Sequence, residues 1–315
     1  MSSEKKKLVV VVGPTASGKT ALAVKLAQHY GGEVISADSM QIYKGMTIAT
    51  AKPTPDEMQG IPHHLIDFLE PSESFSVSEY VKLANKAAED ILSRGKLPIL
   101  CGGTGLYVRS FLENVQFSEE ESDPSLREEL IKRYKTEGGE KLIEEIRTFD
   151  PKTAEKLLPS NSKRIIRAIE IYRLTGVTMS ESVKRSKSVP LPYDFMALGI
   201  TYADRQKLYD RINQRVDIMI KNGLLEEAIE FFASDIGNTA AAAIGYKELK
   251  PYLDGEVSFE EAAEHLKMET RRYAKRQLTW FRRDEYIRWI EADRCDDVLK
   301  EAVKLTNGFM NGDKI

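Results

Sequence analysis

Residues 8–12, Leu-Val-Val-Val-Val, are a β-branched run with no polar alternation. That pattern predicts a strand buried on both faces of a sheet. Residues 20–30 place Leu22 and Leu26 at helical spacing, and Gly31-Gly32 stops the helix. A second strand is predicted at 33–37 and a short third at 64–68. Val81, Leu83, Ala84, Ala88 and Leu92 form one apolar stripe on a helix over 77–93. A further strand, 98–101, runs into Gly102-Gly103-Thr104-Gly105 and then a helix. Strand and helix in alternation imply an α/β fold, a parallel sheet flanked by helices on both faces.

The pattern then changes. From 117 to 150 there are eleven acidic and six basic residues at helix-like spacing. Residues 163–174 read as another helix, and 182–192 as a polar, basic return linker ending in proline. This predicts a helical insertion domain at 117–190 within a core made of 1–116 and 191–315. A strand at 195–201 resumes the sheet. A long amphipathic helix at 204–232, broken near Asn222-Gly223, follows. Helices at 240–253 and 259–283, a strand at 286–291 and a closing helix at 296–306 complete the chain.

The length of 315 residues suits about two compact units, or one core with an insert. Hydrophobic residues are 42% and charged residues 30%, enough for a sizeable core under a polar surface. Cys101 and Cys295, the two cysteines, cannot build a disulfide framework or a four-cysteine zinc site. Two reduced thiols are expected. Nothing approaches about twenty consecutive apolar residues, so no membrane span is expected and the location expected is cytoplasmic. The net charge of -3 speaks against a chain coated in positive charge for nucleic acid.

Gly13, Pro14, Thr15, Ala16, Ser17, Gly18, Lys19 and Thr20 fit G-x-x-x-x-G-K-[ST] without a mismatch. They lie between a buried strand and a helix, the setting that the motif requires. Glycines let successive backbone N–H groups turn inward onto phosphate oxygens, and the helix N-terminus adds positive potential. Lys19 supplies a mobile charge, and the Thr20 hydroxyl can hold Mg²⁺. The expected core is therefore P-loop NTPase-like. The loop recognises a di- or triphosphate, either of ATP or of an alkyl diphosphate.

The strand at 33–37 delivers Asp38, Ser39, Met40 and Gln41 to the carboxyl edge of the sheet, where open α/β sheets bind ligands. Asp38 could serve as a general base, as a Mg²⁺ ligand through water, or as a helix cap. Thr104, in the second glycine-rich turn, faces a ligand or merely caps a tight turn. An apolar strand ending in aspartate, as motor ATPases have, is absent. A small-molecule P-loop kinase and a non-catalytic RNA-binding ATPase remain as alternatives. His63 and His64 read as structural or surface residues, His29 and His265 as solvent-facing, and Trp280 and Phe281 as core.

The segments "GPTASGKT", "ISADSMQIYKGMTIATAKPT", "PHHLIDF", "LCGGTGLYVRSFLE", "SKRIIRAIEIYRLTG", "AAAIGYKEL" and "RRYAKRQLTWFRR" closely resemble the bacterial tRNA dimethylallyltransferases. The likeness covers almost the whole chain in the right order. It implies that the P-loop holds the diphosphate of dimethylallyl diphosphate, not ATP. The acceptor implied is N6 of the adenosine beside the anticodon in tRNAs reading codons that begin with U. On this resemblance Asp38 is the general base, and Ser39, Met40 and Gln41 lie along the acceptor base. Thr104 sits at the reacting centre and Arg215 clamps the diphosphate. Lys163, Arg164, Ile165, Ile166 and Arg167, with Ile244, Gly245, Tyr246 and Lys247, touch the tRNA anticodon stem-loop. A monomer is expected. An adenylate isopentenyltransferase, with the same chemistry on a free nucleotide, remains as an alternative.

Local charge changes the meaning of the total. Residues 271–283 hold six basic residues and no acid, and 163–187 hold seven basic and two acidic. A protein that grips one stem-loop through such segments should bind tRNA with a shallow but real salt dependence. Titration of tRNA binding from low to moderate salt checks this. A flat response would remove both basic segments as the RNA surface.

Overall fold

The computed structural model describes residues 5–116, 123–186, 189–237 and 239–312. Its strands are β1 (Lys6–Val12), β2 (Gly32–Ser36), β3 (His63–His64), β4 (Leu97–Gly102), β5 (Tyr193–Thr201) and β6 (Ile287–Glu291). They form one six-stranded sheet in the order β3-β2-β4-β1-β5-β6, with every pairing parallel. Central β1 pairs with β4 on one side and β5 on the other. Leu8 to Val12 are fully buried, as a strand covered on both faces requires.

The chain divides into two compact units, Met1–Leu112 with Pro192–Ile315, and Glu113–Leu191. The first contains the sheet. Its helices before the insert are α1 (Lys19–Tyr30), α2 (Pro55–Met58), α3 (Val77–Ser93) and α4 (Gly105–Leu112). The second unit carries α5 (Pro124–Glu137), α6 (Gly139–Phe149), α7 (Pro151–Ala154), α8 (Ser162–Thr175) and α9 (Met179–Ser186). The first unit then resumes with α10 (Arg205–Lys221), α11 (Leu224–Ala233), α12 (Lys250–Leu253), α13 (Phe259–Phe281) and α14 (Val298–Asn311). Local chemistry sets the ends. Ser76 with Glu79, and Ser258 with Glu261, form capping boxes that start α3 and α13. Gly223, at φ 97°, separates α10 from α11.

One core lies where α1 and α14 cover the sheet, with Val9, Val11, Leu22, Leu26, Leu198 and Phe309 in contact. In the second unit, Leu130, Leu142, Ile146, Ile165 and Ile169 form a separate core. Buried Asp150 joins α7 to α9: its carboxylate accepts from Thr153 Oγ1 at 2.6 Å and from Ser180 N at 2.9 Å.

Three predicted elements differ. The strand expected at 64–68 is only His63–His64, because Leu65 and Asp67 take positive φ and turn the chain. The helix expected at 240–253 is a 3₁₀ turn, Ala240–Ala242, then loop, then α12. Gly245, at φ 122°, breaks it, and Pro251 suits the first turn of a new helix. The linker expected at 182–192 instead begins within α9, which Thr178 caps by accepting from Glu181 N. Of the acidic run 119–123, only Asp123 falls among the described residues, and it caps α5.

Glu33, 2% exposed, anchors the amino end of β2. Its carboxylate pairs with Arg94, with Lys96 Nζ at 2.8 Å and with His64 Nε2 at 2.7 Å. The Arg94 hydrogen bonds hold it well below the usual carboxylate range. The lowered value places its stabilising contribution above the ordinary carboxylate pKa. That contribution is lost as pH falls through that range. Glu33→Gln should cost about 2 kcal/mol, less than a fully buried pair because Arg94 and Lys96 reach water. Urea unfolding should show wild type and variant converging as the pH is lowered.

Candidate active site

The sheet's topology brings three loops together at its carboxyl edge. They follow β1, β2 and β4, which are neighbours in the sheet. The loop after β1 is the phosphate loop, and two arginines one turn apart on α10 hold it. Arg211 Nε donates to Ala16 O at 3.0 Å, and Arg215 Nη1 to Thr15 Oγ1 at 3.3 Å. Lys19 Nζ meets Pro14 O at 3.5 Å.

The loop after β2 presents Asp38. Its Oδ1 accepts from Met40 N at 2.9 Å, which orients the carboxylate and leaves the other oxygen for a ligand. The turn after β4 supplies Thr104. Its N–H donates to Ala37 O at 3.1 Å, while its Oγ1 accepts from Ser39 N at 3.0 Å and lies 3.3 Å from Ser39 Oγ. Thr104 is thereby locked to the Asp38 segment across 65 positions of sequence.

A cavity of about 290 Å³ opens between these loops, α10 and α13. Thr15, Lys19, Thr20, Asp38, Ser39, Met40, Gln41 and Arg215 line it. So do Ile244, Gly245 and Lys247. The remaining wall is largely apolar, with Val216, Met219, Leu224 and Leu266. A polar, cationic end beside an apolar wall fits a ligand with an anionic head and a hydrocarbon part. Cys101, on β4 behind this end, is buried and free. Burial pushes its thiol up to about 11, so it is unreactive.

Burial lowers the pKa of both cations. Lys19 is shifted by desolvation and further by Arg215, against which Asp38 acts. Arg215 is likewise shifted by desolvation, opposed by Asp38. Two cations withdrawn from water and close enough to repel make a strong anion receptor. No cluster of three or more metal-ligating His, Cys, Asp or Glu occurs among the described residues.

Not every predicted contact residue faces outward. In the second unit Lys163 and Arg164 are exposed and Arg167 is half-buried, its Nη1 donating to Glu170 at 2.9 Å. Ile165 and Ile166 are buried in that unit's core, so their side chains hold the helix and present nothing to a partner. Tyr246 is also buried, stacked on Phe231 with centroids 4.0 Å apart. Gln41 spends its amide on Thr50 O and Ala51 O. Phe281 is buried, as expected of core. Trp280 is only half-buried, against Gly105, with Arg109 over its ring at 5.0 Å. His29 and His265 are exposed.

Other residues in the site carry no motif. Tyr273, Arg276 and Gln277 on α13 line the cavity. Gln277, 5% exposed, accepts from Thr15 N at 2.8 Å and donates to Gly103 O at 3.0 Å. It therefore ties the phosphate loop to the turn that carries Thr104. A Cβ on Gly103 would lie 2.1 Å from Gln277 Nε2, which is why that turn has glycine. The Tyr273 phenol is held above its ordinary pKa by burial and by Asp38, so it stays neutral. The signal available in the sequence was a glutamine on the buried stripe of α13, with Ala274 and Phe281. A polar residue at such a position needs a specific partner.

Replacing Gln277 with Leu should orphan Thr15 N–H and loosen the loop. Affinity for inorganic diphosphate should fall on the order of tenfold, the worth of one or two buried hydrogen bonds. Calorimetry measures this directly, and unchanged affinity would assign Gln277 to packing alone.

The IPP transferase family model matches residues 41–284, and an isopentenyl transferase model matches residues 6–72. The tRNA dimethylallyltransferase of Thermoanaerobacter sp. (strain X514) is 47% identical over 310 residues, covering 96% of this chain and 98% of that relative. The tRNA dimethylallyltransferase of Caldanaerobacter subterraneus subsp. tengcongensis is 50% identical over 289 residues, 91% of this chain and 92% of the relative. The crystal structure of a full-length tRNA isopentenylpyrophosphate transferase from Bacillus halodurans matches at a TM-score of 0.72 and 45% identity. It covers 98% of this chain and 97% of that one. A eukaryotic dimethylallyltransferase, solved acting on tRNA, matches at a TM-score of 0.84 and 30% identity, over 98% of this chain and 81% of its own. Matched over nearly its whole length in sequence and in fold, the chain belongs to the IPP transferase family of tRNA dimethylallyltransferases.

Proposed function

We propose that this chain transfers the dimethylallyl group of dimethylallyl diphosphate to N6 of the adenosine 3′-adjacent to the anticodon in tRNAs reading UNN codons, with release of diphosphate. The observation that carries the reading is a cavity that joins Lys19, Arg215 and Asp38 to an apolar wall. An allylic diphosphate uses both ends.

The chemistry follows from the two substrates. The exocyclic amine of adenine is a weak nucleophile because its lone pair is delocalised into the ring. The allylic carbon compensates, because charge that builds there as the C–O bond breaks is shared over the allyl system. Diphosphate then needs its developing charge neutralised. Lys19, Arg215 and the amides of the phosphate loop are preorganised for this, at no reorganisation cost during reaction. Asp38 accepts the amine proton as the N–C bond forms, and Thr104 stands beside it at the reacting centre. Tyr273, kept neutral, remains a hydroxyl donor in the same cavity.

Mg²⁺ fits this donor set. Thr20 lines the cavity, and a hard cation commonly binds one or two protein oxygens together with substrate phosphate and water. It would supply charge neutralisation on the diphosphate. The acceptor base, extruded from the anticodon loop at a cost of a few kcal/mol, would lie against Ser39, Met40 and Gln41. The exposed Lys163 and Arg164 of the insert, and Lys275, Arg276, Arg282 and Arg283 at the end of α13 and beyond it, would hold backbone phosphates. Among the described residues no helix is long and apolar enough to cross a membrane. The protein would act in the cytoplasm as a monomer.

Labelled dimethylallyl diphosphate and labelled ATP, each offered with tRNA and with AMP, test the reading. Label should pass only from dimethylallyl diphosphate and only to tRNA; transfer from ATP, or to AMP alone, would overturn it. Asp38→Asn should keep tRNA affinity while kcat falls about 10²–10⁴-fold, the usual worth of a general base. A matching loss of tRNA binding would take the base role from Asp38.

A further inference from the structure

Glu227, near the start of α11, holds two separate stretches of the cavity wall with one carboxylate. Its Oε2 accepts from Thr47 N at 2.9 Å and Ile48 N at 2.7 Å. Its Oε1 accepts from Ala49 N at 2.9 Å and from the Tyr246 hydroxyl at 2.8 Å. Three consecutive backbone N–H groups turned onto one anion form a nest. The fourth bond reaches a different loop, 197 positions away from Ala49 in sequence.

The two stretches also touch. A Cβ on Gly245 would lie 2.7 Å from Ala49 Cβ. Ala49 and Gly245 both line the cavity. Residues 50 and 51 continue the same wall and receive the Gln41 amide, with Gln41 Nε2 3.1 Å from Ala51 O. Movement of the nest would therefore displace Gln41 as well as Gly245. A carboxylate is the side chain this site requires. It is acceptor-only, with lone pairs enough for four donors, whereas a glutamine amide would turn an N–H₂ donor towards another donor.

We propose that Glu227 is a positioning residue that sets the spacing of the wall against which the acceptor base lies. It acts through Ala49, Gly245 and Gln41 and touches no reacting atom. The proposal rests on the reading that Ser39 to Gln41, with Ile244, Gly245 and Lys247, face the tRNA. Donor capture depends on Lys19 and Arg215, neither of which bonds Glu227. A fault in the nest should thus fall on one substrate and spare the other.

Steady-state kinetics of Glu227→Gln test this, with tRNA and dimethylallyl diphosphate varied in turn. KM for tRNA should rise about tenfold, the worth of one charge-assisted hydrogen bond. KM for dimethylallyl diphosphate should stay within about twofold, since the phosphate loop keeps its own bonds. Tyr246→Phe removes one of the four bonds and should move the same constant in the same direction by a smaller factor. Equal rises in both KM values, or an unchanged KM for tRNA, would overturn the proposal. If Glu227→Gln does not fold, Tyr246→Phe decides by the same split. Wild type separates the two levels: failure to label tRNA removes the functional reading, whereas labelling with an unmoved Glu227→Gln KM removes only this inference.

Discussion

Two cations held away from water, with no carboxylate among the described residues bonded to either, are the constraint around which the first unit is arranged. Lys19 and Arg215 both have their pKa lowered by burial. Their hydrogen-bond partners among the described residues are neutral oxygens, of Pro14 and of the Thr15 hydroxyl. Such an arrangement costs stability in the free protein and gains it back when an anion arrives. Asp38, on the loop after β2, moderates the repulsion without pairing to either cation. A bonded salt bridge there would satisfy the cations permanently and weaken the receptor.

The surrounding structure keeps that charge from collapsing. The phosphate loop is held from three directions: by β1 beneath it, by Arg211 from α10, and by Gln277 from α13. The turn carrying Thr104 is held by Gln277 and by the backbone of Ala37. The donor end is thus built of short, cross-linked loops on neighbouring parallel strands. The wall of Ala49 and Gly245 is built differently. It lies on longer loops without regular structure, and its rigidity comes from the Glu227 nest and the stacked Tyr246–Phe231 pair. A preorganised anion site beside a wall fixed by side-chain bonds divides the labour between two substrates of very different size.

Much of this was legible in the chain because the physics is local. Residues 8–12 could only be a doubly covered strand, and the glycines, Lys19 and Thr20 that follow are chemistry fixed by adjacency. The carboxyl-edge rule for parallel sheets brought Asp38 and Thr104 to the same place without a long-range assumption. What failed was also local. Leu65 and Asp67 in positive φ shortened β3, and Gly245 broke an alanine-rich stretch that pattern alone reads as helix. In Ile165 and Ile166, a segment implied to touch RNA contained its own core face.

Gln277 and Glu227, which carry no motif, share one property: they act through bonds to backbone far away in sequence. Gln277 reaches Thr15 and Gly103, and Glu227 reaches Thr47 to Ala49. A backbone partner leaves no complementary side chain to notice. Such a residue shows in the sequence only as a polar group where a helix pattern calls for none, as Gln277 does between Ala274 and Phe281. Glu227 lacks even that, because acid in the first turns of a helix is ordinary. Its role emerges only when the donors are counted: four N–H and O–H groups on one carboxylate, in a protein where carboxylates such as Asp123 and Asp204 do no more than cap helices.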